Sequence, residues 1–342
     1  MILETELPQA PDGSVRLLQI TDTHLFASAE GRLLAVRTAE SLAAVLEQVQ
    51  ANAHPFDLIL ATGDLSQDHS PESYQRFASM MAPLARPIYW LPGNHDDGPL
   101  MTEYLHAAGI SEAKQLVGDH WQVILLDTQV RGKPHGVLGD HQLAALDSAL
   151  RQHPERHALI ALHHQAVPVG CAWLDQHNLK NADDLFAVLA RHPQQKTILF
   201  GHVQQASDAG RRGVRLVASP ATCIQFKPLS DGFALDESGP GWRYLTLHPD
   251  GRIASQVWRL PVGQFVPDPN ATGYCGVRHH DPGSAVAARC QLIARLGQGA
   301  ADGCLGGRAQ ARHRSAYPGP AQYPGGGLGG HRSRHCRGQG SP

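Results

Sequence analysis

The sequence predicts an α/β layered domain over residues 1–274, and three observations lead there. Short apolar runs of strand length alternate with segments whose apolar residues recur at helical spacing. Residues 214–258 then read as strands alone, so the layering is of α/β or α+β type. The apolar runs also end, one after another, on Asp, Asn and His, and open α/β sheets place their sites at the carboxyl ends of strands.

Taken in order, residues 15–21 read as the first strand, which ends at Asp22-Thr23-His24. In extended backbone, positions i and i+2 share a side, so the Asp22 carboxylate and the His24 imidazole are aimed together. Leu42, Val45, Leu46 and Val49 fall at helical spacing within residues 38–49. The run 56–62 is the second strand and ends at Gly63-Asp64, where glycine lets the backbone turn sharply and approach closely. The run 87–91 breaks at Pro92 into Gly93-Asn94-His95-Asp96, presenting an amide, an imidazole and a carboxylate in succession. A fourth strand, 122–126, ends at Asp127-Thr128, where Asp127 reads as a capping or turn residue.

Leu143, Leu146 and Leu150 mark a further helix, and residues 158–162 a strand ending at His163-His164. Tandem histidines on a strand point to opposite faces, so at most one reaches a given site directly. The other would hold it from behind or meet the substrate. Leu185, Val188 and Leu189 suggest one more helix, and the strand 196–200 ends at Gly201-His202-Val203-Gln204. Residues 214–218, 244–247 and 253–258 complete the strands. The last two flank His248-Pro249-Asp250-Gly251, whose Asp-Gly is a hairpin signal.

Hydrophobic residues make up 42% of the 342-residue chain, enough for a sizeable core. There is no apolar stretch of membrane-spanning length, and the N-terminus lacks the basic and apolar regions of a signal peptide. No membrane partner and a cytoplasmic location are therefore expected. The six cysteines agree, since none falls in a Cys-x-x-Cys pair. Residues 275–342 carry nine Arg, no Lys and two Asp, a balance of +7, which leaves −9 on residues 1–274. An acidic domain repels phosphate backbones, so no nucleic-acid partner is expected. Residues 275–342 are also crowded with Gly, Arg and Pro, and too poor in apolar residues to offset ordering. They are expected to form a disordered, low-complexity tail, read as an out-of-frame or read-through extension; the alternative is a basic partner-binding arm.

Five strand ends thus deliver Asp22 and His24, Asp64, Asn94 and His95, His163 and His164, and His202. All are N or O donors with no thiolate, and the 21 histidines invite the same reading: a metal centre. The donors outnumber the ligands of a single catalytic zinc. They suit two cations about 3.5–4 Å apart that share a carboxylate. Mixed N/O ligation favours Fe, Mn, Co or Zn. Two such ions lower the pKa of a bound water, polarise a phosphoryl oxygen and stabilise oxygens in line, which fits phosphoester hydrolysis.

In this order, Asp22-Thr23-His24, Gly63-Asp64, Gly93-Asn94-His95-Asp96, His163-His164 and Gly201-His202 resemble the calcineurin-like metallophosphoesterases. Residues 20–26, 90–96, 171–177 and 222–228 further resemble the bacterial class III 3′,5′-cyclic AMP phosphodiesterases, and the similarity runs from about residue 15 to about Tyr274. The resemblance implies a four-layer α/β/β/α sandwich with a dimetal site at the strand ends. It implies hydrolysis of 3′,5′-cyclic AMP to 5′-AMP by a metal-activated hydroxide. The cofactors would be two divalent cations, Fe2+ or Mn2+ ahead of Zn or Co. Carried over by position, Asp22 and His24 bind the first metal, Asp64 bridges both, and Asn94, His163 and His202 bind the second. His95 would sit beside the phosphate, stabilising the transition state or protonating the departing 3′ oxygen. Asp96 would orient that imidazole or make a turn hydrogen bond. The substrate would meet His24, Asp64, Asn94, His95, His163 and Gln204.

Gln204 is the departure. The family pattern is Gly-His-x-His, and this chain places Gln where the last ligand of the first metal would stand. A neutral amide oxygen donates more weakly than imidazole, so weaker occupancy, lower activity or a shifted metal preference is expected. Gln165 stands where the superfamily often has proline. The alternatives are another phosphodiester, such as a glycerophosphodiester, or a weakened or non-hydrolytic nucleotide-binding homologue. Residues 171–181 read as a wall for the nucleotide or as a loop with one buried Trp. Gln225-Phe226-Lys227 offers base stacking or a phosphate contact.

Overall fold

The computed structural model describes residues 3–273. The expected tail lies outside the described residues. Among the described residues two large sheets form. Their strands are β1 (Glu4–Glu6), β2 (Val15–Ile20), β3 (Leu58–Ala61), β4 (Ile88–Trp90), β5 (Gln115–Val117) and β6 (Trp121–Leu125), followed by β7 (His157–Leu162), β8 (Lys196–Phe200), β9 (Ser207–Arg211), β10 (Val214–Ala218), β11 (Gly241–Leu247) and β12 (Ile253–Arg259). The longer helices are α1 (Thr38–Ala51), α2 (Pro71–Met81), α3 (Gly98–Ala107), α4 (Asp140–Gln152) and α5 (Ala182–Ala190).

The seven-stranded sheet runs β1-β5-β6-β7-β8-β10-β9 and the five-stranded sheet β12-β11-β2-β3-β4. In the first, β6, β7, β8 and β10 are parallel. In the second, β2, β3 and β4 are parallel. The expected hairpin joins β11 and β12, with Gly251 in its turn at φ +89°.

Alternation along the strands explains the layering. On β2 and β3, Val15, Leu17, Leu58 and Leu60 face Val123, Leu125, Leu159, Ala161 and Leu199 of the other sheet, forming the core between the sheets. Leu18, Ile20, Ile59 and Ala61 face outward onto Leu42, Val45, Leu46, Phe77, Met101 and Leu105 of α1, α2 and α3. Ile124, Ile160, Leu162, Ile198 and Phe200 face outward onto Leu146 and Leu150 of α4 and Leu185 and Leu189 of α5. Both faces of each sheet are covered, which is why these strands read as continuous apolar runs. The result is the four-layer α/β/β/α sandwich.

Register then aligns the strand ends. Ile20 pairs with Ala61, Ala61 with Trp90, and Leu162 with Phe200. The loops after β2, β3, β4, β7 and β8 therefore leave the two sheets at one end. Polar links join the sheets there: Gln19 Nε2 donates to the Phe200 carbonyl at 3.3 Å, and the buried Arg243 donates to the Ala218 carbonyl at 2.6 Å.

Candidate metal centre

The loop after β2 is fixed by its neighbour. The Asp22 N–H donates to the Gly63 carbonyl at 3.0 Å and the His24 N–H to the Asp64 carbonyl at 2.9 Å. Asp22, His24, Asp64, His202 and Gln204 all adopt φ between 46° and 63°. Non-glycine residues seldom occupy that left-handed region, and strain of this kind clusters where side chains must be aimed. Gly63 and Gly93 make the close approach possible. A Cβ on Gly93 would collide with the Asp64 carboxylate, and one on Gly63 would lie 2.5 Å from His163 Nδ1.

Two groups of donors result, each with its atoms within 4.8 Å of one another: Asp22, His24 and Asp64, and Asp64, His163 and His202. All are buried, and Asp64 belongs to both groups. Asp64 Oδ1 accepts the His95 N–H at 2.8 Å, while Oδ2 lies 3.2 Å from His163 Nε2 and 3.8 Å from His24 Nε2. The Asp22 Oδ2 atom accepts the Thr21 hydroxyl at 2.6 Å and the His202 N–H at 3.2 Å. His163 donates through Nδ1 to the Thr62 carbonyl at 2.8 Å, which fixes its tautomer and leaves Nε2 facing inward. Asp22 Oδ1, Asn94 Oδ1 and His202 Nε2 are buried without a hydrogen-bond partner, and His163 Nε2 faces Asp64 Oδ2. Buried polar atoms are normally satisfied, so this convergence of lone pairs is what a cation site looks like from the protein side.

The electrostatics agree except at His163, where burial is outweighed by the Asp64 charge, which raises the imidazole to about 9. Burial pushes the His24 imidazole down to about 3, and His202 and His164 well below the usual value, so these rings are neutral, the form that binds a cation. Burial pushes the Asp22 carboxyl up to about 7, with the Asp64 charge adding to it. Burial acts on Asp64 in the same sense, but His163, His95 and His24 outweigh it and hold that carboxyl well below its usual range. Two carboxylates this close call for positive charge between them. The donor set fits two divalent cations.

His95 lies in neither donor group. Its ring meets the His24 ring edge-on at 5.2 Å, beside the first group. His164, hydrogen-bonded through Nδ1 to the Thr128 hydroxyl at 2.7 Å, packs against His163 and His202 with ring centroids 5.0 and 4.7 Å away. It packs against those two rings and lies in neither donor group. Gln165 ties two loops: its Nε2 donates to the Leu174 carbonyl and its own carbonyl accepts the Leu179 N–H, both at 3.0 Å.

Other expectations are decided by packing. Asp96 accepts the N–H groups of Leu65, Ser66 and Gly93 at 2.9–3.2 Å and the Tyr74 hydroxyl at 3.3 Å, so the turn role is the one these bonds support. Asp127 is a turn residue, accepting the Gln129 N–H at 2.7 Å. Phe226 is buried against Trp173 and Phe233 at 4.8 and 5.8 Å, which removes it as a base-stacking surface and makes Trp173 part of the same core. Thr21, Thr62 and Thr128, which anchor the acidic and imidazole groups, carried no sequence signal beyond sitting at strand ends.

Residues 15–206, more than half of the chain, match the calcineurin-like phosphoesterase family. The chain belongs to that family. Among its curated relatives, 3′,5′-cyclic adenosine monophosphate phosphodiesterase CpdA of Vibrio vulnificus is 53% identical over 77% of this chain and 96% of its own length. CpdA of Escherichia coli is 51% identical over 78% and 98%, and that of Pseudomonas aeruginosa 44% identical over 78% and 97%. Solved structures share the fold. A dimetal phosphatase from Danio rerio superposes with a TM-score of 0.50 at 15% identity, covering 72% of this chain and 99% of that one. A purple acid phosphatase from yellow lupin gives 0.52 at 13% identity, covering 77% and 54%. These likenesses establish the phosphoesterase fold. Among the described residues no helix is long and apolar enough to cross a membrane.

Proposed function

We propose that this chain hydrolyses 3′,5′-cyclic AMP to 5′-AMP at a two-cation centre. The observation that carries the reading is the pair of buried donor groups sharing Asp64, in a chain 44–53% identical to relatives named as cyclic AMP phosphodiesterases. In this reading Asp22, His24 and Gln204 hold the first cation, Asp64 bridges, and Asn94, His163 and His202 hold the second. Fe2+ or Mn2+ is proposed ahead of Zn or Co. Bound cations would provide Lewis-acid charge and an activated water. His24, Asp64, Asn94, His163 and Gln204 border the phosphate position. His95, held by its N–H on Asp64, donates a hydrogen bond or proton toward the phosphate and the departing 3′ oxygen. The catalytic unit is proposed to be residues 1–274 and the location cytoplasmic.

One observation favours a weakened relative as the second reading. Gln204 Nε2 lies 3.0 Å from His24 Nε2, so the amide offers hydrogen to the ligand atom of the first donor group. Incubating the purified protein with cyclic AMP and Mn2+, beside a panel of other phosphodiesters including glycerophosphodiesters, separates the readings. Release of 5′-AMP, lost in His95→Ala, is expected. Binding of cyclic AMP without 5′-AMP would favour the second reading, and faster turnover of another diester would reassign the substrate.

A further inference from the structure

Gln129 lies on the loop that follows β6 and reaches across to the turn that carries His95. Its Nε2 donates to the Gly93 carbonyl at 2.6 Å and to the Asp96 carbonyl at 2.7 Å. The two hydrogens of one amide thus grip both ends of the Gly93-Asn94-His95-Asp96 turn. Gln129 is itself anchored: its N–H donates to Asp127 Oδ1 at 2.7 Å, and the Asp127 N–H donates to Gln142 Oε1 of α4 at 3.2 Å. The remaining bonds to this turn described above come from the five-stranded sheet's loops, through Asp64 and through Asp96. Gln129 contributes the hold from the seven-stranded sheet. It also lines a cavity of about 310 Å³ with Trp90, Pro92, Gly98, Lys114 and Asp127, so shortening its side chain leaves room for water rather than for a replacement contact.

We propose that Gln129 is a positioning residue for His95: it fixes the turn between the two sheets so that the imidazole meets the phosphate at the right distance. Gln129 bonds none of the donor atoms, but the turn it holds carries Asn94 as well as His95, so kcat is read at saturating Mn2+, which keeps the cation sites filled and isolates His95 placement. The inference rests on the reading of His95 as the side chain facing the phosphate.

The test is a double-mutant cycle of Gln129→Ala and His95→Ala, with kcat and KM for cyclic AMP, bound-cation content and Tm measured for each protein. Gln129→Ala is expected to lower kcat about 10- to 100-fold, the scale of a misplaced catalytic group, with KM and cation content within about twofold of wild type. Gln129→Glu, equal in size but presenting carboxylate to two carbonyls, is expected to lose at least as much. On the His95→Ala background, Gln129→Ala is expected to change kcat less than about twofold, because the interaction it serves is already gone. Wild-type kcat in Gln129→Ala would overturn the inference. So would an equal fold-loss on both backgrounds, or a loss that follows cation content or Tm. Full turnover in His95→Ala would overturn the reading of His95 and this inference together, whereas low turnover there with additive losses would overturn the inference alone.

Discussion

At position 204 the side chain turns an N–H, not a lone pair, toward His24 Nε2. Rotating the amide by half a turn would offer Oε1 instead, but a neutral amide oxygen still binds these cations less strongly than imidazole. Gln204→His is therefore expected to raise bound cation per chain and turnover together. Equal cation content and equal turnover in the two proteins would remove Gln204 as a handicap. Asp96 supports a different prediction. Its carboxylate accepts three backbone N–H groups, and Asn would set an NH2 or a single oxygen against them. Asp96→Asn is expected to cost about 1–3 kcal/mol of stability, the cost of unsatisfied buried groups, readable by urea denaturation. At this scale the chemistry of each donor was legible, because Asp, Asn and His sit one or two positions beyond apolar runs. The left-handed φ of Asp22, His24, Asp64, His202 and Gln204 was not, since only contacts from the neighbouring loops impose it.

Among the elements, the inner strands were readable because β2, β3, β6, β7 and β8 are buried on both faces. The edges were not: β1 (Glu-Thr-Glu) and β9 (Ser-Asp-Ala-Gly-Arg) carry no apolar pattern and exist by pairing alone. Helix α2 was not expected from the sequence, although Ser70 accepting the Ser73 N–H, Pro71 at the first position, and Tyr74, Phe77, Ala78 and Met81 on one face are local helix signals. The seam between the sheets is testable at this scale. Arg243 is buried, its side chain pushed down to about 10 by that burial, and it bonds Ser219, Ser255 and the Ala218 carbonyl. Arg243→Met is expected to destabilise the domain by about 1–3 kcal/mol, because it strips partners from buried acceptors. An unchanged denaturation midpoint would mean that the cost of burying the cation cancels those bonds.

For the molecule as a whole, cations and fold should be linked. Asp22 and Asp64 are buried together, and a ligand that binds only the folded chain stabilises it. Removing cations with a chelator is expected to lower Tm, and returning Mn2+ to restore it in a concentration-dependent way; a Tm indifferent to both would contradict the two-cation reading. Truncation after Tyr274 is expected to leave Tm and hydrolysis unchanged, whereas loss of either would make the tail a working part.

The sequence by itself determined the donor set, the order in which it appears and the apolar runs that carry it. Those are local properties: burial on two faces forces continuous Val, Leu and Ile, and the first residues past a strand are free to be polar. The tertiary structure decided what those residues share. Register between β2, β3 and β4, and separately between β7 and β8, brings five loops to one end, and the packing of the two sheets makes Asp64 common to both groups. It also decided that Asp96 ties loops, that Phe226 belongs to a core, and that Gln129 holds the His95 turn. Those roles depend on neighbours more than thirty positions away in the chain for Asp96 and Gln129, and no local pattern encodes them.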